Sequence, residues 1–550
     1  TIDALRLRAN TRDEVSREYH PQREDILVAI QRAEDILQDK DLKDELIPID
    51  AKISNHWPGN NLGQSNDWQS LGVAVKPGDK INIYIGKTGG YQNTTFQLGI
   101  SQHFGESNTA IQTYSQELKV GKNEITIPES AFNMDCEKGG NLYLRFSNRN
   151  FQEGDQVKVR VSGGTEIPHL NVNDIILDKS KEQEAKDLIR TYIRELKSYV
   201  DDLPNKYPQE DDRVNNIYTY DEETSILNST EIEGDNIMLS LPATQILKGI
   251  EDGLTTEDQM VDRVYETLLA WEQMMEVSFL QQGIIDAPID FDGDGKITNN
   301  ALDELGGKSE NQYYNENRKG KNRMNIKYQR MFPGAFMYAS AHHVGIGFGS
   351  TPDVMKGVPF KVENGELVNK DGYLFGWGIG HEIGHVHDRA GLTYPEVTNN
   401  ILALITQTFD DTTASRLEGG TYTDIYKKVT SQSEGVAKGS VGLGMFWQLH
   451  LAYDNENTFD MLELNKDGDI SNDTFYAKLY RVTREKGIAP SEQGHDRVAQ
   501  TFLIRSSDAV GKDLREFFEK WGIVASPKSN EYLDKMKYPK EDKAIYYLND

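Results

Sequence analysis

Apolar residues recur at three-and-four spacing in "EDILVAIQRAEDILQDKDLKDEL", with charges between them, and residues 1 to about 45 read as helix. This leader could be the end of a preceding helical domain. From 46 to 168 the period shortens. "SLGVAVKPGDKINIYIG", "NEITIPESAF", "NLYLRFSN" and "DQVKVRVSGG" are short alternating runs cut by Gly, Asn, Asp and Pro. They predict an antiparallel β-domain of the sandwich kind. Residues 169–550 form the third unit, in which helical spacing dominates from about 175 onward. "KSKEQEAKDLIRTYIRELKSYVDDL" and "EDQMVDRVYETLLAWEQMMEVSFLQQG" are amphipathic. Further helices fit "EVTNNILALITQTF", "GLGMFWQLHLAYD", "TFYAKLYRVTREKG" and "DLREFFEKWGI". One β-like patch, Phe336 to Ser350, interrupts them. The expected class is α+β and multidomain: a β-sandwich-like domain, then a mainly helical one.

Composition bounds this picture. A chain of 550 residues suggests roughly three or four domains. It is 37% hydrophobic and 27% charged, enough apolar material for a large core. The net charge of −28 argues against nucleic acid and anionic membrane as partners. The single cysteine, Cys136, excludes an intramolecular disulfide. It reads as a buried thiol, since the sequence points to no base beside it. No apolar run reaches the ~18 residues of a membrane span, so no membrane insertion is expected. The chain opens on "TIDALRLRANTRDEV", without Met, a basic start or an apolar stretch. That beginning suits a segment from inside a longer protein and leaves localisation unread.

The chemistry gathers in "GWGIGHEIGHVHDRAGLTYPEVTNN", Gly376 to Asn400. HExxH sets His381 and His385 one helical turn apart on one face, where two neutral imidazoles reach one Zn²⁺. Glu382 then stands beside a zinc-bound water as general base. A catalytic zinc wants a third protein ligand. The metzincin pattern would need Gly at 388 and His at 391, but the chain has Asp388 and Gly391. The acids nearby are Asp388, Glu396, Asp410, Asp411 and Glu418. Gly391 can stop the first helix and Pro395 can open a second, with Glu396 at its start, facing back to the metal. The rival reading takes Thr393 to Glu396 as a capping box that uses Glu396 only on backbone N–H. His387 falls off the ligand face, and either supports the ligands from behind or lies at the surface. Asp388 either orients His385 or faces solvent. The glycines at 376, 378, 380 and 384 weaken a helix unless packing or substrate comes close.

With "GWGIGHEIGHVHD" followed by "EVTNNI", the chain resembles the enhancin-like zinc metallopeptidases, whose bacterial members include mucin-degrading O-glycopeptidases. It most resembles the secreted zinc metalloproteases of gut clostridia. "WQSLGVAVKPGDKINIYIG", "GGNLYLRF", "FMYASAHHVGIGFGS" and "LREFFEKWGI" extend the resemblance over roughly residues 60 to 525. It implies His381, His385 and Glu396 as zinc ligands, Glu382 as base and a gluzincin-like catalytic domain. It also implies O-glycosylated mucin-like substrates, and a secreted or cell-surface, monomeric protein. An edge strand beside the zinc helix would hold substrate backbone, with His342 to Gly349 as the candidate. His342 or His343 could stabilise the oxyanion, or form a solvated surface pair. Asn399 and Asn400 share a face with Glu396 and could bind a sugar, or support Glu396. Tyr394 and Trp377 could stack on a sugar; core packing is the simpler role for Trp377.

Two further stretches are calcium-like. In "DFDGDGKIT", Asp290, Asp292 and Asp294 take the first, third and fifth loop positions, with Lys296 offering its carbonyl. Position twelve is Ala301 rather than an acid, with Asp303 or Glu304 as substitutes. In "ELNKDGDIS" the ligands would be Glu463, Asn465, Asp467 and Asp469. The alternative at each is an Asp/Gly turn without an ion. Two other functions stay open: a glycan-binding surface module with a silent zinc site, and a general zinc protease indifferent to sugars.

Overall fold

The computed structural model describes residues 1–37, 47–50, 62, 66–86, 95–101, 113–129, 136–146, 156–285, 290–291, 295–330, 336–340, 343–363, 366–369, 371–388, 391–407, 417, 420–431, 440–454 and 474–549. Two helices, Ile2–Ala9 and Arg23–Leu37, come first. The alternating runs then form two antiparallel sheets face to face. One has the order Ile47–Asp50, Gln156–Ser162, Lys80–Ile85, Gly121–Thr126. The other has the order Thr113–Lys119, Thr95–Ser101, Gly140–Phe146, Gln69–Val75, Thr165–Glu166. Inward positions such as Ile49, Val73, Ile83, Phe96, Leu98, Leu144 and Val159 fill the space between them. The sandwich-like domain is therefore as the alternation predicts.

The second part is helix-rich around a six-stranded sheet. Its order is His169–Asn171, Thr230–Glu233, Ile237–Leu241, Met324–Tyr328, His343–Ile346, Met337–Ala339. Only the last two strands lie in the β-like patch expected from sequence. The other four are a correction, with a physical cause: they are 3–5 residues long and bury polar groups such as Glu231, Glu233 and Lys327. Such short, buried strands give no clean alternation. Helix Glu182–Asp202 forms as its periodicity predicts. Helix Glu257–Gln281 starts with a capping box between Thr256 and Gln259 and buries Trp271, Met274 and Met275 in the core. It packs against both helices that build the site described next. Among the described residues no helix is long and apolar enough to cross a membrane.

Candidate metal centre

The histidine pair sits on helix Gly376–His387. The helix begins abruptly, with Phe375 and Gly376 at positive φ, 63° and 72°. Stacking on Trp271, with ring centroids 3.9 Å apart, holds Phe375 in that conformation. The glycines have a packing reason. A Cβ on Gly380 would stand 2.9 Å from Ala403 Cα, and one on Gly384 only 2.0 Å from the Asn399 carbonyl oxygen. Helix Asn400–Gln407 can thus lie directly against the histidine helix.

His381 and His385 each present Nε2 to the Glu396 carboxylate, at 3.2 and 3.1 Å. One ligand atom from each of the three residues falls within 4.8 Å of the others. Two donors about 2.0–2.1 Å from one tetrahedral ion stand about 3.3 Å apart, which the distances of 3.2 and 3.1 Å from Glu396 to the two histidines fit. His381 Nδ1 lies 2.7 Å from Asn400 Oδ1, an acceptor, so Nδ1 carries the proton and Nε2 keeps its lone pair for a metal. Burial holds His385 below the usual histidine range, in the neutral form a metal requires. Glu382 is 7% exposed. Burial pushes its carboxyl up to about 7, with His381 opposing and Glu396 adding to the rise.

Glu396 reaches this position differently from the sequence expectation. It neither starts a helix nor sits third in a capping box. Val397 N donates to the Tyr394 carbonyl at 3.0 Å, closing a turn with Pro395 second and Glu396 third. Glu396 has φ 65°, at a place where a type II turn prefers glycine. The helix begins only at Asn400, whose Nδ2 donates to the Glu396 carbonyl at 3.0 Å. Asn400 therefore fixes a histidine and the glutamate turn together.

The other predicted residues are placed as follows. Asn399 is 1% exposed and donates to the His381 carbonyl at 3.3 Å; Asn400 is also buried. Asn400 uses its amide on His381 Nδ1 and on the Glu396 carbonyl, the support for Glu396 expected as the alternative to a sugar contact, and Asn399 donates to the histidine helix. His387 is buried, with Nδ1 2.6 Å from Ser278 Oγ and its ring stacked on Phe279, so it is neither at the surface nor in the site. Burial lowers it to about 4. Asp388 accepts from Thr398 Oγ1 at 3.2 Å, and burial raises it to about 8. Tyr394 donates to Asp496 Oδ2 at 2.6 Å and stacks on Phe502, so its ring belongs to the C-terminal helix packing rather than to a sugar platform. Trp377 packs against the core, half-buried.

His343 is buried, with Nε2 2.6 Å from the Tyr338 hydroxyl and Nδ1 3.1 Å from Ser340 Oγ. Both ring nitrogens are engaged, which corrects its reading as a free oxyanion donor or a solvated residue; His342 lies outside the described residues. The expected edge strand is also displaced by one. His343–Ile346 is internal, and Met337–Ala339 is the outer strand beside the histidine helix. Of the first calcium-like loop, Asp290 and Lys296 are described; Asp290 Oδ2 accepts from Gly295 N at 2.6 Å. Asp292 and Asp294, and the whole second loop with Glu463, Asn465, Asp467 and Asp469, lie outside the described residues.

This arrangement is that of a metallopeptidase. Residues 307–522 match the family described as peptidase M60, enhancin and enhancin-like, and residues 45–162 match the N-terminal domain of M60-like peptidases. Over these stretches the chain belongs to the enhancin-like peptidase family, as its sequence resemblance implies. Similar solved structures include the ZmpB metallopeptidase from Clostridium perfringens, 24% identical, covering 92% of this chain and 83% of that one, with a TM-score of 0.61. The M60 catalytic domain of Clostridium perfringens ZmpC, solved in complex with the sialyl T antigen, is 22% identical over 92% of this chain and 82% of that one, TM-score 0.61. A longer ZmpB structure, with the CBM32-1, CBM32-2 and M60 catalytic domains, is 23% identical, TM-score 0.62; it covers 100% of this chain, which spans only 47% of it. At these identities the likeness is one of fold. No curated protein sequence matches significantly.

Proposed function

We propose that this chain is a secreted zinc endopeptidase that hydrolyses peptide bonds in O-glycosylated, mucin-like proteins. The observation that carries the reading is the convergence of His381 Nε2, His385 Nε2 and the Glu396 carboxylate beside the buried Glu382. Two imidazoles and one carboxylate suit zinc and leave a coordination position open. The ion, when bound, supplies the Lewis acid that polarises the scissile carbonyl. The chain's own residues do the rest. Glu382 takes a proton from the attacking water and returns it to the departing amine nitrogen. Asn400 keeps His381 in one tautomer and holds the Glu396 turn. Among the described residues Met337–Ala339 is the outer strand of the sheet, the edge to which an extended substrate backbone could add. A glycoprotein substrate is supported by the family and by the sialyl T antigen bound to the ZmpC domain of similar fold.

The test is mass spectrometry of two matched peptides after incubation, one carrying a GalNAc-type O-glycan on Ser or Thr and one bare. Cleavage of the glycopeptide alone is expected. Glu382→Ala should lower the rate by roughly 10²–10⁴-fold with zinc still bound, and a chelator should abolish it. Cleavage of both peptides would replace the substrate claim with a general protease. Cleavage of neither, with zinc bound, would favour a glycan-binding module.

A further inference from the structure

Helical spacing sets Gly378 one turn ahead of His381 and Glu382, on the stripe that also carries His385. The surface leading to the metal triad therefore continues over a residue without a side chain. The three atoms nearest to where its Cβ would stand are Met337 Sδ at 2.9 Å, Met337 Cε at 3.4 Å and Phe336 Cε2 at 3.7 Å. All three belong to apolar side chains. Phe336 is 62% exposed, the most exposed aromatic side chain among the described residues. It is not on a loose loop: its carbonyl accepts from Gly347 N at 2.9 Å, which extends the pairing of the outer strand. An exposed apolar ring on a strand-paired backbone beside a reactive centre is a ready contact for a substrate. Where the outer strand meets the histidine helix the contact is apolar, with Met337 covering Gly378 and the Phe336 ring beside it, a surface that suits an apolar side chain better than the hydroxyls of a sugar.

We propose that Phe336, Met337 and Gly378 form an apolar subsite that selects a leucine-like side chain of the substrate close to the scissile bond. The inference rests on the peptidase reading and adds a protein-sequence requirement to any glycan requirement. Phe336 and Met337 are specificity residues; they take no part in moving protons.

The test uses O-glycosylated peptides with Leu or Ala at each of the two positions on either side of the glycosylated residue. Affinity is measured by calorimetry on the zinc-loaded Glu382→Gln protein, and kcat/KM on the active protein. At one position Leu should be preferred about tenfold in both measurements, the discrimination a few buried methyl groups provide. Phe336→Ala should remove the surface. Gly378→Ala should narrow the subsite, since its new methyl displaces only the flexible end of Met337. Each variant should reduce the preference to under about twofold, at unchanged zinc content. Equal affinity for all peptides in the parent protein, or a preference surviving both variants, overturns the subsite. If nothing is hydrolysed while the Glu382→Gln protein still prefers Leu, the peptidase reading fails and the subsite stands. Hydrolysis without any side-chain preference means the reverse.

Discussion

Glu396 holds a left-handed backbone conformation that a non-glycine residue adopts at a cost of roughly 1 kcal/mol or more. Its position is useful because the turn throws the carboxylate back onto both imidazoles. Glu396→Gly should therefore keep the turn, leave the metal-free melting temperature equal or higher, and abolish stoichiometric zinc. Melting in chelator together with metal analysis would check it, and a destabilised metal-free variant would mean that the side chain supports the fold. Asn400 acts one bond further away. Asn400→Ala removes the acceptor at His381 Nδ1 and the hold on the Glu396 carbonyl. Zinc affinity should fall about 10–100-fold without loss of the fold, as competition with a chelating dye would read.

At the scale of elements, two glycines on one helix should behave oppositely. Gly378 faces a flexible methionine, so Ala there should be tolerated and gain up to about 1 kcal/mol of helix propensity. At Gly384 the new methyl would meet a backbone carbonyl at 2.0 Å, with no side chain free to yield. Gly384→Ala should push the two helices apart, cost roughly 1–3 kcal/mol and loosen the metal, visible in urea unfolding. The long amphipathic helices were legible in the chain because their apolar stripes repeat over many turns. The strands Thr230–Glu233 and Met324–Tyr328 were not, because each is a short run that buries charged side chains against a partner far away in sequence.

At the scale of the molecule, those buried charges join its two halves. Glu231, on the catalytic sheet, accepts from Ser70, Asn141 and Tyr143 of the sandwich. Glu233 pairs with Arg323 and lies 2.9 Å from His169 Nε2, and Ser70 N donates to it at 2.9 Å. Arg323 reaches back to the Trp68 carbonyl at 3.0 Å. Burial alone would raise the Glu233 carboxyl, but Arg323 and His169 outweigh it and hold the group at about 2, against 4.5 ordinarily. A carboxyl depressed in the folded state stabilises above its unfolded value, and that stability is lost as pH falls from 4.5 towards 2. The unfolding free energy read from urea titrations should therefore drop across this window, by roughly 3 kcal/mol from this residue, and Glu233→Gln should flatten that fall. Arg323→Ala takes the guanidinium from a buried carboxylate and leaves it to His169 and Ser70 N, which should cost about 3–5 kcal/mol, with both halves unfolding together. Two separate transitions would show that the seam does not couple them.

Local spacing was enough to determine the sandwich-like domain, the long helices, and the pairing of His381 with His385 around Glu382. Alternation and helical period are properties of neighbouring residues, and HExxH needs only one turn of helix. Tertiary structure decided what depends on residues meeting from afar. It brought Glu396 onto the histidines through a strained turn rather than a helix start. It spent Asn399 and Asn400 on the histidine helix and made Met337–Ala339, not His343–Ile346, the outer strand. It also placed Glu231 and Glu233 where two domains meet. Sequence shows that a group is charged or polar; only packing sets which partner relieves the cost of burying it.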